Sequence, residues 1–316
     1  MAFNDVIGRD ENGAIELSES VSKEILKAAA SQSVVSQLAT RVPMSSLVTR
    51  QAQVSGLPEA YFVGSDTGLK QTTKVQWKGV ELQAEPIACL VVIPDDFQAD
   101  SFENISAQAK TLIAEAIGRT IDNACLFGVN KPATWGPSLY AQAVAAGNHV
   151  DYDDTKDFGV NAANVALKVV EDGFKPTAYA TEPGLRWRML GERDAQGGPI
   201  FTQLAGEAYE GLALHGIPAV ESDNGAWDAD VRLIAGEWKN ALLGVRQDVT
   251  VSMHKDGVIV DETGKVLFSA MQSDSQIMRV VTRVAWNVAN PATNRNTVEA
   301  ARSPFALLLN EGTAAS

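Results

Sequence analysis

Apolar positions along this chain change period several times, and each change marks an element. Over 17–40, Val21, Ile25, Ala28 and Ala29 share a helical face that Val34, Val35, Leu38 and Ala39 continue. That spacing predicts a helix capped by Ser18 or Ser20 and stopped by Pro43. From 47 to 97 the reading turns to strands. Segments 51–63, 74–83 and 87–93 are rich in Val, Thr and aromatic residues, with period two in places. Between the first two lies the polar run Gly64, Ser65, Asp66, Thr67 and Gly68, the tip of a long hairpin too hydrophilic for a core. A hairpin alone is marginally stable in water, so this one needs a neighbour.

The strongest helical pattern follows. Asp100 and Glu103 have the spacing of a capping box. Ile105, Ala109, Leu112, Ile113, Ala116, Ile117, Ile121, Ala124 and Cys125 then recur close to every 3.6 residues. The predicted helix runs over 101–127 and ends at Gly128. Its apolar stripe is expected to lie across a sheet made by the long strands 242–253 and 277–288. Beyond Pro132 the texture is mixed. A helix is expected over 160–171, ended by Gly173 and Pro176, with a short strand at 178–181 and a helical turn at 184–190. Apolar strands follow at 214–220 and 231–235. The segment 242–253 alternates like an exposed strand, 258–268 reads as a hairpin about Glu262, Thr263 and Gly264, and 305–309 is a last buried strand. No internal repeat is visible.

Composition narrows the class. Among 316 residues, 26 Lys and Arg stand against 39 Asp and Glu, a net charge of −13. With 45% hydrophobic and 21% charged residues, the chain can bury a core, which excludes global disorder. The negative balance argues against a protein whose main task is to grip nucleic acid, since such domains carry a basic face. No run approaches the ~20 apolar residues that span a bilayer. The first ten residues are polar and acidic, so no export signal is expected.

Candidate chemistry is sparse. The two cysteines, Cys89 and Cys125, fall in apolar runs and read as small core residues. His149, His215 and His254 are far apart and without a Cys or carboxylate cluster, which leaves no zinc pattern. Lys131 lies between Gly128 and Gly136, but Pro132 and Trp135 break any phosphate-loop pattern. The Gly-rich stretch 191–198 follows a helix rather than a strand, which argues against a dinucleotide site. The pairs Asp95, Asp96 and Asp153, Asp154 sit where turns are expected and read as solvated charges. Trp187 and Trp286 are expected in the core, whereas Trp77, on the hairpin, is expected to pack against another subunit. No catalytic, cofactor-binding or metal-binding residue is assigned, and no cofactor is expected. The chain is not read as an enzyme.

The order of elements and several local strings carry a resemblance. Ile93, Pro94, Asp95 and Asp96 precede the long helix, and 121–128 (IDNACLFG) closes it. The loop 194–200 (DAQGGPI), then 214–220 (LHGIPAV), and 234–238 (IAGEW) leading to 243–246 (LGVR) complete the series. Taken in order over nearly the whole chain, these resemble the major capsid protein of tailed double-stranded DNA bacteriophages, with the Hong Kong 97-type fold.

The resemblance implies an α+β subunit with an N-terminal arm (1–46) and an extended-loop hairpin with flanking strands (47–97). A peripheral domain with the long spine helix would take 98–140 and 245–290, and an axial domain 141–244 and 291–316. It implies self-assembly into pentamers and hexamers of an icosahedral virion shell, assembled in the host cytoplasm, enclosing DNA without sequence-specific contacts or membrane. A portal protein, a separate scaffolding protein and a decoration protein are the other partners it implies. The scaffold is expected to be separate because the arm begins at once after Met1. That arm is expected to gain its order from neighbouring subunits. Covalent cross-linking through Lys70, Lys74 or Lys78 is not expected, because no motif fixes an Asn or Glu partner. The rival readings are an encapsulin-type compartment shell and a soluble α/β enzyme; the long arm favours the virus.

Overall fold

A computed structural model describes residues 33–63, 70, 72–95, 105–191, 198, 212–260 and 263–310. The helix expected over 17–32 with its Ser18 or Ser20 cap, the hairpin tip 64–68, the capping box at Asp100 and Glu103, and the loop 192–197 lie outside these residues. In chain order the elements are α1 (Val34–Leu38), β1 (Thr40–Pro43), β2 (Val48–Gly56), β3 (Gln76–Gln83) and β4 (Glu85–Pro94). Next come α2 (Ile105–Asp122), a π-helical turn (Asn123–Phe127), α3 (Leu139–Ala145), β5 (His149–Asp151), α4 (Phe158–Glu171), β6 (Ala178–Thr181) and α5 (Leu185–Gly191). The remainder is strands, with two single 3-10 turns (Trp238–Asn240 and Glu299–Ala301) between them: β7 (Leu212–Leu214), β8 (Ile217–Glu221), β9 (Val231–Gly236), β10 (Ala241–His254), β11 (Val258–Val260), β12 (Val266–Ser269), β13 (Ser275–Val288) and β14 (Phe305–Leu309).

Two sheets organise the molecule. One has four strands in the order β1-β10-β13-β4, and the other six in the order β5-β14-β9-β6-β8-β7. β14 explains why they stay together. All five of its residues are buried, and as a strand turns alternate side chains to opposite faces, both faces must be covered. Phe305, Leu307 and Leu309 enter a core shared with Ile113, Ile117, Val280 and Trp286, whereas Ala306 and Leu308 pack with Phe158, Val165 and Val169 of α4. The first of these clusters joins α2 to the four-stranded sheet, as the apolar stripe required. A third, smaller cluster fixes the root of the β2–β3 hairpin: Val80 and Leu82 meet Val42, Met44, Leu242 and Ala285.

Several expectations are corrected. The arm helix ends at Leu38, and Thr40 opens β1 instead, because 40–43 pairs in parallel with 242–245 of β10. β10 is not an exposed strand. It lies between β1 and β13 with Leu242, Leu243 and Val249 buried, and two register shifts break its alternation. The segment 214–220 is two strands rather than one. His215 (φ 54°) and Gly216 (φ 77°) both take positive φ, as a two-residue hairpin turn demands. β5 and α3 had no counterpart in the sequence reading.

Leu112 and Trp187 leave the core. Buried Ile113, Ile117 and Ile121 turn one way round α2, while Leu112 sits roughly 100° from Ile113 in the opposite sense and is 66% exposed. In α5, Leu185 and Met189 face inward four residues apart, which turns Trp187 outward at 72% exposure. Trp286 and Cys125 are buried as expected, and Cys89 is half-buried on β4.

These burials set a test of the helix–sheet contact. Ile117→Ala should cost the isolated subunit ~2–5 kcal/mol, as a buried large-to-small change. Leu112→Ala should stay within about 0.5 kcal/mol, as a surface change. Denaturant unfolding of both variants checks the contrast, and equal losses would contradict the placement of α2.

Candidate functional site

The residues that could do something beyond folding fall into an exposed strip and the polar anchors behind it. The strip belongs to the hairpin. β2 and β3 pair antiparallel from Val48↔Gln83 to Gly56↔Gln76. Toward the root, Val80 and Leu82 are buried. Toward the tip the chain exposes Tyr61, Phe62, Val63, Val75 and Trp77, with Phe62 fully exposed and Trp77 66% exposed. The hairpin is therefore only half self-sufficient: a rooted base and an apolar outer half. Adjacent apolar side chains in water mark an interaction surface.

The strands are tied to the body as far out as the level of Trp77, which pairs with Val54. The Asn290 N–H donates to Gln53 Oε1 (2.9 Å), the Ala292 N–H to the Val54 carbonyl (2.9 Å), and the Asn287 side-chain amide to the Glu81 carbonyl (2.7 Å). Lys78 pairs with Glu299 at 2.7 Å; both are exposed, so the pair is worth little by itself. Lys70 and Lys74 are also exposed.

The segment that grips the hairpin is itself gripped. Arg302 is buried, and its guanidinium donates to Asn290 Oδ1 (3.1 Å) and to the carbonyls of Asn290 (2.8 Å) and Thr297 (2.7 Å). Asp172, at the end of α4, accepts from the Asn148 amide (2.7 Å), the Ser303 N–H (2.8 Å) and the Asn296 amide (2.9 Å). Burial pushes the Arg302 pKa down, while the charges of Glu299 and Asp172 hold it up. The β13–β14 connection is thus fixed to the six-stranded sheet at one end and to the hairpin at the other.

Asp122 is the second anchor. It is fully buried at the end of α2, where the carboxylate accepts four bonds. Ser33 Oγ (2.7 Å) and the Val35 N–H (3.0 Å) donate to Oδ1, and the Val34 N–H (3.0 Å) and Asn224 Nδ2 (2.7 Å) donate to Oδ2. It supplies acceptors to the otherwise orphaned first N–H groups of α1 from a different helix, and Ser33 adds its own cap to Ser36. Burial raises the Asp122 pKa, and its hydrogen bonds to Ser33, Val35, Asn224 and Val34 oppose the rise. Just beyond it the helix widens into the π-turn, where Ala124, Cys125 and Leu126 are all buried before Gly128 (φ 79°) ends it.

Asp122, Asn224, Asp172, Asn290 and Arg302 were not singled out in the sequence. A signal existed for Asp122: a carboxylate between Ile121 and Ala124, inside an apolar stripe and near a helix C-terminus, opposes both solvation and the helix dipole. Among the described residues no group of three or more His, Cys, Asp or Glu could hold a metal ion. Asp153 takes the expected turn role: it accepts from Thr155 and pairs with Lys156, which lowers its pKa to about 2. Asp95 is not a free turn charge and reaches Gln276 of β13 and Lys255.

Comparison with known proteins places this architecture. A family model described as "Phage capsid family" matches residues 13–293. A solved chain from Microbacterium phage Oxtober96 is similar at 31% identity and TM-score 0.77, over 89% of this chain and 91% of that one. One from Mycobacterium phage Cain is similar at 26% identity and TM-score 0.77, over 90% and 92%. A chain titled "Capsid of native GTA particle computed with C5 symmetry", at 14% identity and TM-score 0.60 over 90% of each chain, shares the fold. No curated protein sequence matches.

Removing the Asp122 carboxylate tests the anchor. Asp122→Ala strands buried donors from two other segments and should cost the subunit at least ~2 kcal/mol, read by denaturant unfolding. The pH dependence has a definite sign. Because the folded-state pKa is raised, this group's contribution to stability is fully present below the ordinary carboxylate range and is lost as pH rises through the folded value. Asp122→Asn should abolish that fall; an unchanged pH profile would contradict it.

Proposed function

This chain belongs to the phage capsid family, and we propose that it builds its shell from pentamers and hexamers in which each subunit lays its β2–β3 hairpin on a neighbour. It is a structural subunit of an icosahedral phage head, located in the virion shell, and not an enzyme. The compartment-shell alternative is not favoured, since the matched chains named above from Microbacterium and Mycobacterium phages come from viruses.

The observation that supports the hairpin's role is the division along its length. Leu82 is buried at the root, while Tyr61, Phe62 and Trp77 face water further out. Fully burying one such aromatic contributes roughly 1.5–3 kcal/mol, so a strip of them favours a partner strongly. A second copy is the partner at hand in a closed shell. In this reading the hairpin within 47–97 is the extended loop. The four-stranded sheet with α2 forms the peripheral domain (98–140 and 245–290), and the six-stranded sheet forms the axial domain (141–244 and 291–316). β1 and β4 join the peripheral sheet although they come from the arm and loop segments.

The arm, 1–46, is then a strap that neighbours order, with its attachment point at Ser33, Val34 and Val35 on Asp122. A portal at one vertex, a separate scaffolding protein and a decoration protein complete the proposal. DNA is held without sequence-specific contacts, and a net charge of −13 suits a container whose contents slide. Assembly takes place in the host cytoplasm.

Phe62→Ala together with Trp77→Ala should leave the melting of the isolated subunit unchanged while shifting protein from fast-sedimenting particles to free subunits on a gradient. Undiminished particle yield would contradict the hairpin's role. Deleting residues 2–15 should give folded subunits that assemble into fewer or more heat-labile particles. Particles as abundant and heat-resistant as wild type would show that this part of the arm is dispensable.

A further inference from the structure

The six-stranded sheet carries two unlike surfaces at the same level. β5, β14, β6 and β8 run in one direction, since β14 is parallel to β5, β6 is parallel to β8, and both β14 and β6 are antiparallel to β9. Their C-terminal ends therefore lie along one rim. At one lateral side of that rim, the chain leaving β5 exposes Asp154 and Asp157 and enters α4. Neither carboxylate has a hydrogen-bond or ion-pair partner among the described residues, whereas Asp153 is occupied by Lys156 and Thr155. On α4, Val160 and Leu167, seven residues apart and so on one face, are exposed beside them.

Toward the other side, α5 follows β6, and the Arg186 N–H donates to the carboxylate of Glu221 at the end of β8 (2.7 Å). Here Trp187 is 72% exposed, and the Arg186 guanidinium lies 5.9 Å from its ring centre, with no carboxylate partner among the described residues. Arg188 differs, being paired with Glu182. The two sides are three to four strands apart, about 14–19 Å.

We infer that these surfaces meet between successive copies of the chain around a ring. Trp187 of one copy seats on the exposed Val160 and Leu167 face of the next, and Arg186 pairs with Asp157 and Asp154. The inference rests on the ring-forming reading above and names its contact. Three observations carry it. An exposed Trp beside an unpaired Arg is the composition of an interface anchor. The opposite surface offers apolar side chains and free carboxylates, which complement it. Because Arg186 and the 154–157 stretch both follow strand ends on one rim of the sheet, a head-to-tail contact between them is compatible with closure into a ring.

The experiment compares full-length variants by gradient sedimentation and by the melting of free subunits. Arg186→Glu and Trp187→Ala should each melt as wild type and lower the assembled fraction about tenfold, the equivalent of losing one central interface residue. Asp154→Lys, outside the helix, should do likewise; Asp157→Lys should lower the assembled fraction similarly while melting slightly below wild type, since it places a cation at the N-terminus of α4. Combining Arg186→Glu with Asp157→Lys should recover most of the particles, since opposite charges then face each other again. Wild-type yield from the single variants, or no recovery in the doubly reversed chain, would overturn the pairing. A wild-type chain that forms neither rings nor particles would overturn the ring-forming reading itself, and the pairing with it.

Discussion

One buried carboxylate fixes how three stretches of chain that share an apolar cluster meet. Asp122 reaches Ser33, 89 residues earlier, and Asn224, 102 residues later, while sitting at the end of the helix that underlies the four-stranded sheet. Taking such a group out of water is costly unless every lone pair finds a donor. The cost makes the arrangement selective: the first N–H groups of α1 and the 222–226 loop must both meet the end of α2. Hydrophobic burial supplies most of the stability, but it is non-directional. The carboxylate sets where the pieces stop.

The same division of labour recurs at the hairpin. Apolar contacts from Val80 and Leu82 hold its root, and backbone donors from 290–292 fix its angle. Behind them the buried Arg302 and Asp172 bind the β13–β14 connection to the six-stranded sheet. A lever rooted in this way can carry an apolar outer half without collapsing onto its own subunit. The exposed aromatic strip thus follows from a root tied to the body, and a shell-forming protein needs that combination: contact surfaces that cannot be satisfied internally.

Much of this architecture was readable from residue pattern. The buried strand 305–309 and the strand 178–181 lie where the apolar runs put them, and Gly128 ends the long helix as its position implied. What failed did so for identifiable reasons. The stripe on α2 was drawn too wide, and Leu112 fell on its outer side. A Trp in a short helix was taken for core because bulk correlates with burial, yet Leu185 and Met189 already filled the inward face around Trp187. β10 was read as exposed because its central place depends on β1, a strand from 200 residues away in the chain. The anchors at Asp122 and Asp172 were missed because they are defined by partners distant in sequence, which periodicity does not encode; Arg302 has near partners, Asn290 and Thr297, but a charged residue in a connecting loop carries no periodic signal of burial.

The central claim is that the subunit is an incomplete object whose hairpin is completed by its neighbour. Electron cryomicroscopy of purified wild-type particles tests it most directly. The account predicts closed icosahedral shells in which Tyr61, Phe62 and Trp77 of each subunit are covered by the adjacent one. Small oligomers alone, or closed shells in which that strip still faces solvent, would contradict it.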